Sequence, residues 1–334
     1  MDAALDISTA PFRWDDGDRV IRFGRGAVAD VPELVGKTYV LLTTARARAH
    51  APDLVERAVA VHDVPEGRVD EIAAGLRPVV AGETLLALGG GRVVDVAKAL
   101  AAADPPRTVA AVPTTLSAAE MTRLHRHAAG VGAATPRVRP AIVVNDPALS
   151  ASQPEPALAA SALNALAHAV EAPLTLLANP AATLVAHGAT ALLSRGFGAE
   201  EPDRDALALG ALLAGWAADA AGYGLHHVMS QTLARLTPAG HGPANAVMMP
   251  HTLRALERRF PAELEAMAAA AGDDLPSIAA RLAARAGPMR LRDRGVTAEQ
   301  LAECADVASE RPELHLTPPP ADREELLAIY EAAW

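Results

Sequence analysis

The sequence predicts an α/β N-terminal domain on a parallel, Rossmann-like sheet over residues 1–150, followed by an all-α C-terminal domain over residues 151–334. Three observations carry this expectation. Short apolar, β-branched runs alternate with helical stretches in the first part. Three consecutive glycines stand between one such run and a helix. Beyond the first part the chain turns Ala- and Leu-rich with helical periodicity.

Taken in order, TYVLLTT (38–44), VAVHDV (59–64), TLLALGGG (84–91), VAAVPTT (109–115) and AIVVND (141–146) read as strands buried on both faces. ADVPELVG and VDEIAAGLRPVV supply helical crossovers between them, which parallel neighbours require. The boundary falls in NDPALSASQPEP, where Asn, Asp, Ser and Pro cluster. The helical remainder is broken by Pro and Gly at PAGHGPAN and RAGPMR.

Composition narrows the function classes. The chain is 51% hydrophobic and 21% charged, which is globular rather than disordered. Its net charge of -10 disfavours nucleic acid, because phosphate binding needs a basic face. A single cysteine, Cys304, excludes an internal disulfide or a cysteine zinc cluster and suits a reducing cytosol. The acidic start MDAALDISTAPFRWDDGDR lacks the apolar segment of a signal peptide, and no run is long enough to span a membrane. We therefore expect a cytoplasmic protein acting on a small molecule, with no nucleic-acid or membrane partner; a homodimer is the expected assembly.

The first chemical motif is ALGGGRVVDVAKA. Gly89, Gly90 and Gly91 let backbone amides approach a pyrophosphate at a helix N-terminus, although a tight structural turn uses the same residues. Asp95 and Lys98 follow in the first turns of that helix, as cofactor contacts or as a solvated pair. Thr114 and Thr115 close the next strand and present hydroxyls toward the same place, and Thr44 closes the first strand. That first strand ends without an acid to repel a ribose 2′-phosphate, and Arg46 and Arg48 follow, so a nucleotide carrying that phosphate is expected to be tolerated beside one without it.

The second motif is SALNALAHAVEA, residues 161–172, where Asn164 and His168 share one helical face. The spacing suits a metal, yet a dication prefers a carboxylate beside the imidazole and Asn164 is a neutral amide. Further on, YGLHHVMSQTLARLTPAGHGPANAVMMPH carries His227 and His241 on either side of a turn, where a helix end and a helix start can converge.

These segments, with VIRFGRGAV, PTTLSAAEMT and NDP, resemble in order and spacing the superfamily of iron-dependent alcohol dehydrogenases and dehydroquinate synthases, and within it the maleylacetate reductases. The resemblance covers most of the chain and implies a dehydroquinate synthase-like fold with NADH or NADPH as cofactor. In metal-dependent members an Asp stands at Asn164 and binds iron or zinc together with His168, His227 and His241. Maleylacetate reductases are similar to this chain in having Asn there and in the pair His226 and His227, which implies a site for substrate without a metal.

The chain departs from the family pattern at Ala118 and Ala119, where Gly-Ser is usual, at Gln231, where a third histidine is usual, and at Ala234 and Arg235, where Gly-Gly is usual. Asp95 is typical of the alcohol dehydrogenase branch.

The activity implied is hydride transfer to a carbon–carbon double bond conjugated to a ketone, maleylacetate giving 3-oxoadipate. His227 and His241 are the candidate donors to the developing enolate, with His168 and Asn164 orienting the substrate. His226, Gln231 and Arg123 are candidate substrate contacts. Arg126 and the His125/His127 pair follow Arg123 in TRLHRHAAG, either reaching toward a dicarboxylate in a cleft between the domains or forming a solvated hairpin. A metal-dependent (iron or zinc) alcohol or aldehyde dehydrogenase, a specialised biosynthetic enzyme and a cofactor-binding remnant of the same fold are the alternatives.

Overall fold

The computed structural model describes residues 4–287 and 290–334, so Met1 to Ala3 and the Pro288 and Met289 of the predicted RAGPMR break lie outside the described residues. The chain divides into two compact units, Ser8–Gln153 and Met1–Ile7 with Pro154–Trp334. The sequence reading counts residues 4–7 with the sheet. They pack instead with the helices, where Leu5 N–H donates to Ala270 O and Arg195 donates to Ile7 O.

The first unit holds seven strands: β1 (Phe12–Asp16), β2 (Arg19–Phe23), β3 (Val40–Thr43), β4 (Ala60–Asp63), β5 (Thr84–Gly89), β6 (Thr108–Pro113) and β7 (Ile142–Asn145). They form one sheet in the order β1-β2-β7-β6-β5-β3-β4, parallel except where β1 runs antiparallel to β2. The β1–β2 hairpin escapes the sequence reading because each strand has only five residues and mixes charged with apolar ones. It turns at Gly17, whose φ of 66° lies in the left-handed region that favours glycine.

Strands β3, β5, β6 and β7 are buried on both faces, as their continuous apolar runs predict, whereas β4 is the edge strand and alternates in burial. The period of two splits the core. Val40, Leu42, Leu85, Ala87, Val109 and Ala111 pack on one face with α4 (Val69–Leu76) and α5 (Gly91–Ala103). Leu41, Leu86, Leu88, Ala110 and Val112 pack on the other with α1 (Val31–Val35), α2 (Ala45–Arg48) and α3 (Pro52–Arg57).

The second unit is helical: α6 (Glu155–Glu171), α7 (Pro180–Gly196), α8 (Arg204–Ala221), α9 (Leu225–Leu236), α10 (His241–Arg259), α11 (Pro261–Ala271), α12 (Leu275–Ala286), α13 (Ala298–Ser309) and α14 (Arg323–Ala333). Its small residues serve close packing. A Cβ on Gly196 would lie 2.5 Å from Leu207, and one on Gly210 would lie 2.9 Å from Leu193, so α7 and α8 approach through these positions. From Leu158 to Glu171 every residue of α6 except Ser161 is buried. Polar side chains on this helix are therefore held inside the bundle. No single helix among the described residues is long and apolar enough to cross a membrane.

Candidate active site

Helix α6 presents Asn164, His168 and Glu171 at positions i, i+4 and i+7, one stripe of a helix face. All three are buried, at 6%, 7% and 1% exposure. Burying polar groups on one Ala-rich stripe costs free energy unless partners meet them, and α9 supplies those of Glu171. His227 Nδ1 lies 2.6 Å from Glu171 Oε2, His226 N–H donates to Glu171 Oε1 over 2.6 Å, and His227 N–H donates to Oε2 over 3.3 Å.

The His227 ring stacks on His168 with centroids 3.9 Å apart and planes within 17°. Glu171 carries no role in the sequence reading. Its signal was there, a carboxylate one turn beyond His168 on the same apolar face.

The bonding settles proton positions. Backbone N–H groups already aim at Glu171, which favours the ionised acceptor form even though burial pushes its pKa up. His227 therefore donates from Nδ1. Burial pulls its pKa down to about 3, so the ring is neutral and Nε2 carries a lone pair. This corrects the expectation of His227 as a standing hydrogen-bond donor, because the resting ring is an acceptor at Nε2. Burial also holds His168 well below the ordinary histidine value. Two ring nitrogens of this cluster, His168 Nδ1 and His227 Nε2, are buried with no hydrogen-bond partner among the described residues.

His226 is not a substrate contact. Its Nε2–H donates to Asn245 Oδ1 over 3.0 Å and its Nδ1 accepts from the Thr252 hydroxyl over 2.8 Å, so both nitrogens are spent inside the bundle. Burial lowers its pKa to about 4. Asn245 continues the network, accepting from Ser230 and donating to the carbonyl of His241 over 2.8 Å. His241 itself begins α10 and is exposed. Gln231 is engaged by Arg311, which donates to its Oε1 over 3.0 Å and also to Tyr223 Oη and Val228 O. Arg311 has no place in the sequence reading, which had no local signal to find it.

In the sheet unit, Gly89 ends β5, Gly90 caps α5 and Gly91 begins it, and none has positive φ. Glycine is required by contact. A Cβ would lie 2.6 Å from Val93 at Gly89, 3.1 Å from Thr115 at Gly90 and 2.9 Å from Ser117 at Gly91. Lys98 does not face this turn as a cofactor ligand. It is fully buried, donates to the carbonyls of Ala119, Thr122 and Leu124, and pairs with Asp95 at 2.8 Å, so it anchors the loop after β6.

Thr44 caps α2 by accepting from Ala47 N–H. Arg48 binds both oxygens of Asp63, an acid that the neighbouring strand β4 delivers beside the end of β3. Arg123 and Arg126 are exposed on the loop after β6. His125 is a structural pin, donating to Arg126 O and accepting from Val138 N–H.

A family model for the Fe-containing alcohol dehydrogenase family, C-terminal, matches residues 158–334, the stretch that holds every histidine of this cluster. The chain belongs to the iron-containing alcohol dehydrogenase family. It is similar to a maleylacetate reductase of Rhizobium sp., 29% identical over 97% of this chain and 98% of that one. The crystal structure of that enzyme superposes with a TM-score of 0.79 at 26% identity, covering 97% and 98%. It is also similar to the maleylacetate reductase of Sphingobium indicum, 32% identical over 94% and 95%. An iron-containing alcohol dehydrogenase from Corynebacterium glutamicum superposes with a TM-score of 0.80 at 27% identity over 99% and 97%. The chain is thus an oxidoreductase by family.

Membership of the iron-containing alcohol dehydrogenase family implies a metal and a nicotinamide cofactor, and the residues meet the two differently. Metal ligation needs in-plane lone pairs converging at about 2.0–2.2 Å. The stacked rings of His168 and His227 set theirs side by side, Glu171 is occupied by backbone amides and a ring N–H, and Asn164 is neutral. Among the described residues no group of three or more His, Cys, Asp or Glu is arranged to hold a metal ion. The donors as they stand do not fit an ion.

The glycine turn does fit an anion. Helix α5 has no side-chain cap on its first amides, and Thr114, whose N–H donates to Gly89 O over 3.0 Å, has a buried Oγ1 with no hydrogen-bond partner among the described residues.

Proposed function

We propose that this protein is an NADH- or NADPH-dependent reductase of the maleylacetate reductase kind, reducing the double bond of an unsaturated keto acid without a bound metal. The observation that carries the reading is the donor set on α6 and α9. Asn164 takes the place of an anionic ligand, and His227 is locked to Glu171 with its ring stacked on His168. Similarity to relatives named maleylacetate reductase supports the same substrate class.

The reduced nicotinamide, when bound, supplies the hydride. Gly89 to Gly91, Thr114 and Thr115 would hold its diphosphate at the N-terminus of α5. Hydride addition leaves an enolate that needs a proton. An anionic substrate against the histidine cluster, with Glu171 behind it, favours the charged imidazole that burial disfavours in the free protein. The His227 ring then takes up a proton at Nε2 and gives it to the enolate carbon, while Glu171 offsets the imidazolium charge. Exposed His241 exchanges protons with solvent, and Asn164 with His168 Nδ1 orients the substrate's polar atoms.

The test is elemental analysis of purified protein together with maleylacetate-dependent oxidation of NADH and NADPH. Turnover that persists in a chelator, with no stoichiometric metal, is the expected outcome. Stoichiometric iron or zinc, with activity lost to the chelator and regained on adding metal, would overturn the reading in favour of a metal-dependent alcohol dehydrogenase.

A further inference from the structure

Gln231 lies one turn beyond His227 on α9, at i+4, so its side chain leans back over the turn that carries His227. Contacts tie this corner of the helical unit together. The Tyr223 ring packs on the His227 ring with centroids 5.5 Å apart, and Arg311 donates to Tyr223 Oη over 3.4 Å and to Gln231 Oε1 over 3.0 Å.

Arg311 decides which way the Gln231 amide points. A guanidinium has donors and no acceptor, so the amide must turn its oxygen to it, and the flipped amide would set donor against donor. Arg311 is itself fixed, donating to Val228 O over 3.3 Å and to Glu313 Oε2 over 3.4 Å. The NH2 end of half-buried Gln231 therefore faces away from Arg311, and it makes no hydrogen bond among the described residues. One turn earlier, His227 Nε2 is buried and also without a partner there. An unmet amide donor and an unmet ring nitrogen on one stripe of α9 match the two atoms of a conjugated ketone that change during reduction, its oxygen and its α carbon.

We infer that Gln231 donates from Nε2 to the ketone oxygen of the substrate and stabilises the enolate that hydride addition leaves, with Arg311 as the positioning residue that fixes the amide. The inference rests on the reductase reading proposed above. The substrate gains hydride at the far carbon of its double bond, the reduced nicotinamide being the electron source, and its π electrons move onto the ketone oxygen. The carbonyl re-forms as the α carbon takes the proton held at His227 Nε2. A neutral amide brings a donor to that oxygen without burying a further charge, and it supplies what the resting His227 ring does not.

The experiment is steady-state kinetics with maleylacetate and NADH or NADPH on the unmodified protein, Gln231→Leu, Gln231→Glu, Arg311→Met and the double variant of Gln231→Leu with Arg311→Met. Calorimetric titration with 3-oxoadipate measures ground-state binding, and circular dichroism shows that each variant is folded. Loss of one oxyanion donor should lower kcat roughly 100-fold in Gln231→Leu, while 3-oxoadipate affinity changes by less than about threefold. Gln231→Glu keeps the oxygen that Arg311 holds and replaces the donor by an acceptor, so its kcat should fall at least as far. Arg311→Met should lower kcat roughly tenfold when Gln231 is present and by no more than about twofold in the Gln231→Leu background, because it acts through the amide. A kcat within about twofold of the unmodified protein in either Gln231 variant would overturn the donor role. Equal losses from Arg311→Met in both backgrounds would overturn the positioning role. No turnover of maleylacetate by the unmodified protein would instead overturn the reductase reading on which both rest.

Discussion

His227 donates its Nδ1 proton to Glu171 over 2.6 Å, with both side chains only 1% exposed. Removing the acceptor leaves that ring N–H and the amides of His226 and His227 without partners in a dry bundle. Glu171→Ala should therefore lose about 3 kcal/mol or more of stability, read from urea denaturation. Glu171→Gln keeps an acceptor and should fold, but it cannot offset an imidazolium. Its turnover should fall by roughly 10- to 100-fold, with a shifted pH profile and a smaller change in KM.

The buried histidines set an acid limit. Burial lowers His125 and His226 to about 4 and His227 to about 3, against an ordinary 6.5. Below that ordinary value the unfolded chain takes up protons that the folded chain refuses. The stability they lend is complete above 6.5 and is lost as pH falls toward 4 and 3. Denaturation midpoints measured from pH 7 downward should fall steadily, and a flat profile would contradict the assigned neutral rings.

Glu120 works in the opposite direction. It is 1% exposed with both carboxyl oxygens unpartnered among the described residues, and burial raises its pKa from 4.5 to about 7. Its contribution is complete below 4.5 and is lost as pH rises through 7. Glu120→Gln should raise stability above neutral pH by on the order of 3 kcal/mol and leave it unchanged at pH 4, measured by denaturant titration.

Ala118 holds a φ of 62°, the only non-glycine positive φ among the described residues. The left-handed conformation strains a residue with a Cβ, and family members usually have glycine there. Ala118→Gly should raise the thermal midpoint, with a gain of up to about 1 kcal/mol after the added freedom of the unfolded chain.

Arg48 pairs with Asp63 beside the end of β3, where the proposed cofactor's ribose is expected. Reading Arg46 and Arg48 alone predicts that NADPH is tolerated, but Asp63 from the adjacent strand binds one of these cations. Asp63→Asn should free Arg48 and shift the ratio of NADPH to NADH dissociation constants several-fold toward NADPH, about the worth of one exposed charge.

The sequence by itself determined the order of the parts. Apolar runs such as VLLT and TLLALG can be strands only if covered on both faces, which demands crossover helices and a parallel sheet, and local period alone conveys this. The same local logic put Asn164 and His168 on one face and the glycine triplet at a helix start. The hairpin Phe12–Phe23 was illegible because two five-residue strands that mix charged with apolar residues are too short to show a clear period.

Only the tertiary structure decided what the polar groups do. Lys98 and His226 read as ligands in sequence but are spent on carbonyls, Asn245 and Thr252, while Glu171 read as nothing and holds His227. The physical reason is that a buried polar atom is defined by its partner, and those partners lie 55 residues away for Glu171 and His226 and 26 for Lys98 and Leu124. Periodicity reports which face a side chain occupies, and only the packing of α9 against α6 reports which proton it holds.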